Sequence, residues 1–419
     1  MTTAARPTDP LAVGGYDRRV SKRPTPYEPE PINRSQVRER WRMGVEARAL
    51  VLLTAVLVAF GLVTLYSASA IAAMSDGRSS AFYLVKQLTG VAAGAVVFAV
   101  FAKVDAERWR AWAWPLMGLA LALMALTVLP FTEGIAPRIN GSRRFLLGGS
   151  LQPSELAKLA VIVWTSMLIV KKQELGLLHR VRTGLLPFLA VVGALAAMAA
   201  LEPDLSVAMT FFLIMGIVLF AGGVRIGFFV FMGALATPVL WHEIERLQYV
   251  MLRMVSFLDP GKAPEKVSYQ LQQSLVAVGA GGLFGVGFGE GRQQYGFLPY
   301  PYSDFIGSNV GEEWGFVGLA ALTAAWALYT WLGFRIARQA RSRFQFLVAV
   351  GLTTMMSLTA YLHIGVVIGL MPTTGLTLPF FSYGRSNLVL SLLMTAILVN
   401  IGSERQRVVG ETATNPLAP

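Results

Sequence analysis

The sequence predicts an all-α integral membrane protein of ten transmembrane helices, with a large extracytoplasmic loop between helices 7 and 8. Three observations carry this reading. The 419 residues are 54% hydrophobic and only 14% charged, with a mean hydropathy of +0.55, which is more apolar than a soluble core requires. Ten apolar segments approach the roughly 20 residues that cross a bilayer as helix. After the seventh, the chain stays out of the membrane from about 242 to 310, and a connection that long is ordinarily functional.

Residues 1–46 form a basic tail with Pro7, Pro10, Pro24, Pro26, Pro29 and Pro31 among charges, a disordered composition. No cleavable signal stands out, so the first span is expected to act as its own insertion signal. Spans are expected at 47–70, 83–102, 110–130, 154–171, 184–202, 204–222 and 226–242, then at 311–334, 345–370 and 379–401. They form a ten-helix domain at 47–401, followed by a tail at 402–419. Most of the basic residues then fall on one side: Arg18 to Arg42, Lys103, Lys171, Lys172, Arg335 to Arg343 and Arg405. The positive-inside rule makes that side, and both termini, cytoplasmic. The net charge of +12 sits at inner membrane edges facing anionic lipid, so nucleic-acid binding is not expected. The absence of cysteine excludes disulfides and thiolate metal sites.

Four polar clusters fall at the outer membrane edge. The first holds Asn140, Arg143 and Arg144, followed by Gln152-Pro153-Ser154-Glu155 and Lys158. Two arginines on the disfavoured face suggest phosphate, which guanidinium forks bind bidentately; solvation at the interface is the plain alternative. Glu155 and Lys158 share a helix face, and Pro153 suits a first helical turn, where Glu155 meets the positive end of the dipole. Lys158 lies one turn into an apolar span, so it faces a cavity or a partner, or snorkels. The second cluster, Glu202-Pro203-Asp204, reads equally as a helix start. The third runs through the long loop: Arg253, Gln270, Gln273, Ser274, a Gly-rich stretch at 279–291, Leu298-Pro299, Ser303-Asp304 and Glu312-Glu313. The fourth, 369–386, includes Ser382 and Arg385; so much Pro, Gly and hydroxyl means irregular backbone, tolerated at membrane depth only beside protein or a wet cavity.

In this order and at these positions, the strings resemble the SEDS family (shape, elongation, division and sporulation) of ten-span bacterial proteins, over about 47–401. The resemblance implies a peptidoglycan glycosyltransferase that polymerises lipid II on the outer face of the bacterial cytoplasmic (inner) membrane. It also implies a class B penicillin-binding protein, a transpeptidase, and other divisome proteins as partners. Gly375-Leu376-Thr377-Leu378-Pro379 is similar to the division and sporulation branches, where elongation members usually carry Pro in place of Thr377. The family's essential loop aspartate falls on Asp304. The chain departs from the family pattern at Tyr300-Pro301-Tyr302, Ser206, His363 and Arg385, where Glu-Ala-His, Gly, Asn and Gly are usual.

Such a reaction needs a base for the attacking sugar hydroxyl and cations for the leaving pyrophosphate. Asp304 is the expected base, and Arg143, Arg144, Lys158 and Arg253 are candidates for the phosphate charge. Asn140, Gln152, Glu155, Gln270, Gln273, Ser274, Glu312, Ser382 and Arg385 complete the expected substrate-binding set. No ligand spacing demands a metal, although a divalent cation, Mg or Mn, pairs naturally with carboxylate and phosphate. A lipid II flippase and an elongation-type polymerase are the alternatives. A flippase should carry polar groups through the whole depth of the membrane, whereas here they gather at one edge.

Overall fold

The computed structural model describes residues 37–409 apart from 130, 131, 133, 138–141, 147, 148, 150, 179, 247 and 259–263. The described residues divide into two units, 41–405 and a smaller one that includes 37–40 and 406–409. Among the described residues the larger unit holds thirteen α-helices: α1 (Val45–Ser75), α2 (Phe82–Phe101), α3 (Arg108–Val128), α4 (Pro153–Glu174), α5 (Leu186–Leu201), α6 (Leu205–Ala221), α7 (Ile226–Arg246), α8 (Gln248–Leu258), α9 (Glu265–Gly281), α10 (Ile306–Glu313), α11 (Gly315–Arg338), α12 (Arg343–Val367) and α13 (Arg385–Ile401). The strands β1 (Val37–Met43) and β2 (Ser403–Val409) form a two-stranded sheet.

This is a multi-pass membrane protein. Among the described residues seven helices are long and apolar enough to span: α1 to α4, α5 with its lead-in from Arg182, α11 and α12. Apolar α6 and α13 have 17 residues each, roughly 25 Å at 1.5 Å per residue. Among the span boundaries that move, three follow the long loop. The eighth expected span included Glu312 and Glu313, but the helix breaks at Gly315, whose φ of +66° ends α10 and starts α11. The ninth ends at Val367 rather than 370. The tenth begins at Arg385 rather than 379, because Pro379 lacks an N–H and Phe380 has a φ of +68°. The stretch from 242 to 310 is not bare loop, since the end of α7, all of α8 and α9, and the start of α10 occupy much of it.

Burial separates the spans into inner and outer. α4 is 94% and α12 78% buried across their apolar windows, while the other five reach 39% or less. A helix apolar on every side belongs in an interior, and α4 accordingly packs against α3, α6 and α12. Its own Trp164 is buried against Phe188 of α5, ring centroids 5.8 Å apart. The outer helices leave many apolar side chains exposed, as helices that face lipid do. α1 is seated directly on irregular backbone: a Cβ on Gly61 would lie 2.4 Å from the Phe380 carbonyl, so only glycine permits this approach.

Candidate active site

The N-termini of α4, α6 and α13 meet around a cavity of about 650 Å³. Four cations, Arg144, Lys158, Arg253 and Arg385, line it against three carboxylates, Glu155, Asp204 and Asp304. The helix starts are set by local sequence. Pro153 occupies the first turn of α4, where its missing N–H costs nothing. Asp204 caps α6 by accepting from the Val207 N–H at 3.2 Å.

Lys158 does not snorkel. Its ammonium donates to Glu155 across 2.6 Å, with side-chain exposures of 3% and 7%. Arg144 anchors the opposite wall, pairing with Asp204 at 3.2 Å while donating to the carbonyls of Glu202 at 3.2 Å and Pro203 at 2.6 Å. Glu202, in the turn after α5, accepts from Thr127. Burial pushes Glu202 up to about 7; the Thr127 hydrogen bond and Arg144 act against that, and the neighbouring Asp204 adds to it.

Among the described residues Glu155 and Asp204 each sit in an ion pair and Asp304 in none. Burial raises Asp304 to about 6, with Arg253, a Ser303 hydrogen bond and Arg144 pulling it down and Asp204 pushing it up. Gly375 takes a φ of +70° beside it; a Cβ there would stand 3.9 Å from Asp304 Oδ2. Arg253 of α8 donates to the Thr373 carbonyl at 3.3 Å, tying the long loop to the segment that carries Gly375.

Of the expected site residues, the cavity brings together Arg144, Gln152, Glu155, Lys158, Arg253, Asp304 and Arg385. Gln270 lines a small adjoining pocket with Asp304 and His363. Asn140 lies outside the described residues. Others lie off the cavity lining and engage neighbouring groups of the protein. Arg143 is absent from the lining and donates to the Leu129 carbonyl at 3.2 Å. Ser274 is buried between Ser308 Oγ at 2.7 Å and the Val367 carbonyl at 2.8 Å. Glu312 accepts the Arg292 and Gln293 backbone N–H groups at 2.7 and 3.2 Å. Ser382 donates to the Ser303 carbonyl at 2.7 Å and accepts from Leu378 N–H at 2.8 Å. Gln273 is half-buried on α9 and does not line the cavity.

Sequence reasoning passed over Gln87. This buried amide of α2 donates to the Ser382 carbonyl at 3.2 Å and accepts from Gly384 N–H at 3.1 Å, holding the irregular segment before α13. A lone Gln in an apolar span was the available signal. Among the described residues no group of three or more His, Asp or Glu stands close enough to hold a metal ion.

Residues 47–407 match the family described as Cell cycle protein, that of FtsW, RodA and SpoVE. The chain belongs to this family. Its FtsW/RodA/SpoVE relatives include a probable peptidoglycan glycosyltransferase FtsW from Trichlorobacter lovleyi, 36% identical over 88% of this chain and 96% of that protein. Stage V sporulation protein E of Bacillus subtilis is 36% identical over 84% and 95%. Among solved structures, one chain of a peptidoglycan synthase complex that coordinates polymerization and crosslinking is 28% identical, with a TM-score of 0.70 over 85% of this chain and 97% of that one. RodA of Thermus thermophilus is 26% identical, with a TM-score of 0.60 over 84% and 95%.

Proposed function

We propose that this chain is a peptidoglycan glycosyltransferase that polymerises lipid II into glycan strands. The single observation that carries the reading is the placement of Asp304: a half-buried carboxylate, outside any ion pair among the described residues, in a cavity also lined by four cations. Raised to about 6, it is ionised near neutral pH yet basic enough to accept a proton, the condition a general base requires. The attacking sugar hydroxyl gives its proton to Asp304 as its oxygen bonds to the anomeric carbon, and the lipid pyrophosphate leaves with the electron pair of the broken bond. Arg144, Lys158, Arg253 and Arg385 supply fixed positive charge for that leaving group. Their own carboxylate and carbonyl partners hold Arg144 and Lys158 in place, so little reorganisation accompanies the reaction.

Were a divalent cation, Mg or Mn, to bind together with the pyrophosphate, Asp304 would be the residue to hold it, and it would supply neutralising charge for the leaving group. The ten-span topology, with both termini cytoplasmic and the 242–310 region facing outward from the inner membrane, follows from the distribution of Lys and Arg. On that topology the cavity opens outward. Thr377, together with similarity to FtsW and to a sporulation protein, favours septal over elongation synthesis. Similarity to a chain of a peptidoglycan synthase complex supports a class B penicillin-binding protein as partner, alongside other divisome proteins. The test is strand formation from lipid II by the purified protein, with and without that partner and with and without Mg or Mn. A protein that binds lipid II but forms no strand in any combination is not a polymerase.

A further inference from the structure

Tyr300 lines the cavity four residues before Asp304, together with Tyr302, Tyr383 and Arg385. The other two tyrosines are engaged by their neighbours. Tyr302 stacks on Tyr83 of α2 with ring centroids 4.7 Å apart, and Tyr383 meets the same ring edge-on at 5.0 Å. Tyr300 is different. Its residue is 44% exposed, and among the described residues no hydrogen bond or ring contact holds its side chain. Its φ is +54°, a left-handed conformation that bulky residues rarely adopt.

Pro299 and Pro301 flank it. Each proline has a fixed φ, and the residue before a proline is itself restricted, so the backbone carrying this ring is stiff. Glycine would suit that backbone better. A strained residue kept beside a reacting group, with its side chain free, is a feature of functional sites rather than of packing. The strain holds an aromatic face ready at the cavity, so that little freedom is lost when something binds it.

We propose that the Tyr300 ring is a platform on which a saturated sugar ring of the substrate stacks, positioning its hydroxyl for Asp304. The inference rests on the glycosyltransferase reading above. One face of a hexopyranose presents C–H bonds, which pack favourably on the negative face of an aromatic ring. Pyrophosphate oxygens are repelled by that same face. Tyr300 therefore serves sugar, while Arg144, Lys158 and Arg385 serve phosphate.

The test uses Tyr300→Gly, which removes the ring and relieves the backbone, with Tyr300→Asn as a second variant tolerant of the left-handed region and Tyr300→Phe as the ring-keeping control. Expected for Gly and Asn is a melting temperature no lower than wild type, with either an apparent KM for lipid II raised about tenfold, the scale of one aromatic stacking contact, or shorter strands. A raised KM assigns the ring to the lipid-linked monomer, and shorter strands at unchanged KM assign it to the growing strand. Tyr300→Phe should behave as wild type. Wild-type KM and strand length in both ring-less variants would overturn the inference, as would equal impairment in Tyr300→Phe. If the wild type forms no strand, the glycosyltransferase reading fails instead. Binding of a soluble β-1,4-linked N-acetylhexosamine oligomer then decides the platform: weaker binding by Tyr300→Gly sustains it and equal binding removes it.

Discussion

Lys158 and Glu155 form an ion pair at 2.6 Å inside α4, both almost fully covered. Removing one partner of such a pair leaves the other charge buried alone, at a typical cost of about 3–5 kcal/mol. Lys158→Met is therefore expected to lower the melting temperature and abolish polymerisation. The double variant Glu155→Gln with Lys158→Met should regain much of the stability and none of the activity. Thermal melts and strand assays on the same preparations check this; a fully active double variant would remove the pair from the site.

Asp304 should govern the acid limb of the pH profile. With the carboxyl raised to about 6 in the free protein, log(kcat/KM) is expected to fall with unit slope below that pH, as the ionised fraction drops about tenfold per unit. Asp304→Asn should abolish turnover at every pH while leaving lipid II binding within about threefold, since shape is kept and only basicity is lost.

The same carboxyl sets a stability difference of opposite sign to that of a salt-bridged aspartate. Its folded value of about 6 lies above the ordinary 3.8, so the folded state holds the proton more tightly. Stability is fully present below about pH 4 and lost as pH rises to 6, by roughly 3 kcal/mol at 1.36 kcal/mol per unit. Relative to wild type, Asp304→Asn should melt higher at about pH 8 and near wild type at about pH 4. An unchanged difference across that range would contradict the burial of this charge.

Glu312 should behave as a fold residue. It satisfies the N–H groups of Arg292 and Gln293, and hydrogen bonds to a charged group contribute about 1.5–3 kcal/mol each. Glu312→Ala is expected to destabilise by a comparable amount and to speed proteolysis near 290–296, while the KM of the surviving folded protein stays within about twofold. A selective KM effect at normal stability would return Glu312 to the substrate.

Arg385 begins α13, lines the cavity and packs against Gly90 of α2. Arg385→Gly should raise the apparent KM for lipid II about tenfold with kcat within about threefold, as expected when uniform binding of a phosphate is lost. Steady-state kinetics over a range of lipid II concentrations would show an equal fall in kcat if the contact arises only in the transition state.

Long apolar runs made most spans readable, because bilayer thickness sets their length whatever they pack against. The interior of the long loop was not readable in the same way: α8 and α9 mix apolar and polar residues over 11 and 17 positions, without the length that marks a span. At the site, Lys158, Arg144 and Asp304 were recognisable because ionisable groups near membrane depth need a partner or a cavity. Ser274, Ser382 and Glu312 look identical by that criterion, yet they satisfy buried backbone. Residue type and depth cannot separate a group that lines the cavity from one that lies off it among backbone partners. Gln87 went unnoticed for the converse reason, since its two partners lie about 295 positions away and only folding brings them into reach.

Two segments far apart in the chain are sewn together beside Asp304, by Ser382 Oγ on the Ser303 carbonyl and by Tyr383 N–H on the Tyr302 carbonyl. Insertion of a single residue into either segment would pull these partners out of step. Their lengths are thus a shared quantity: a lineage can lengthen one only by a matching change in the other. Tolerated insertions should accumulate elsewhere, and a library of single-residue insertions scanned through 298–306 and 376–386 should yield functional clones almost only as compensated pairs.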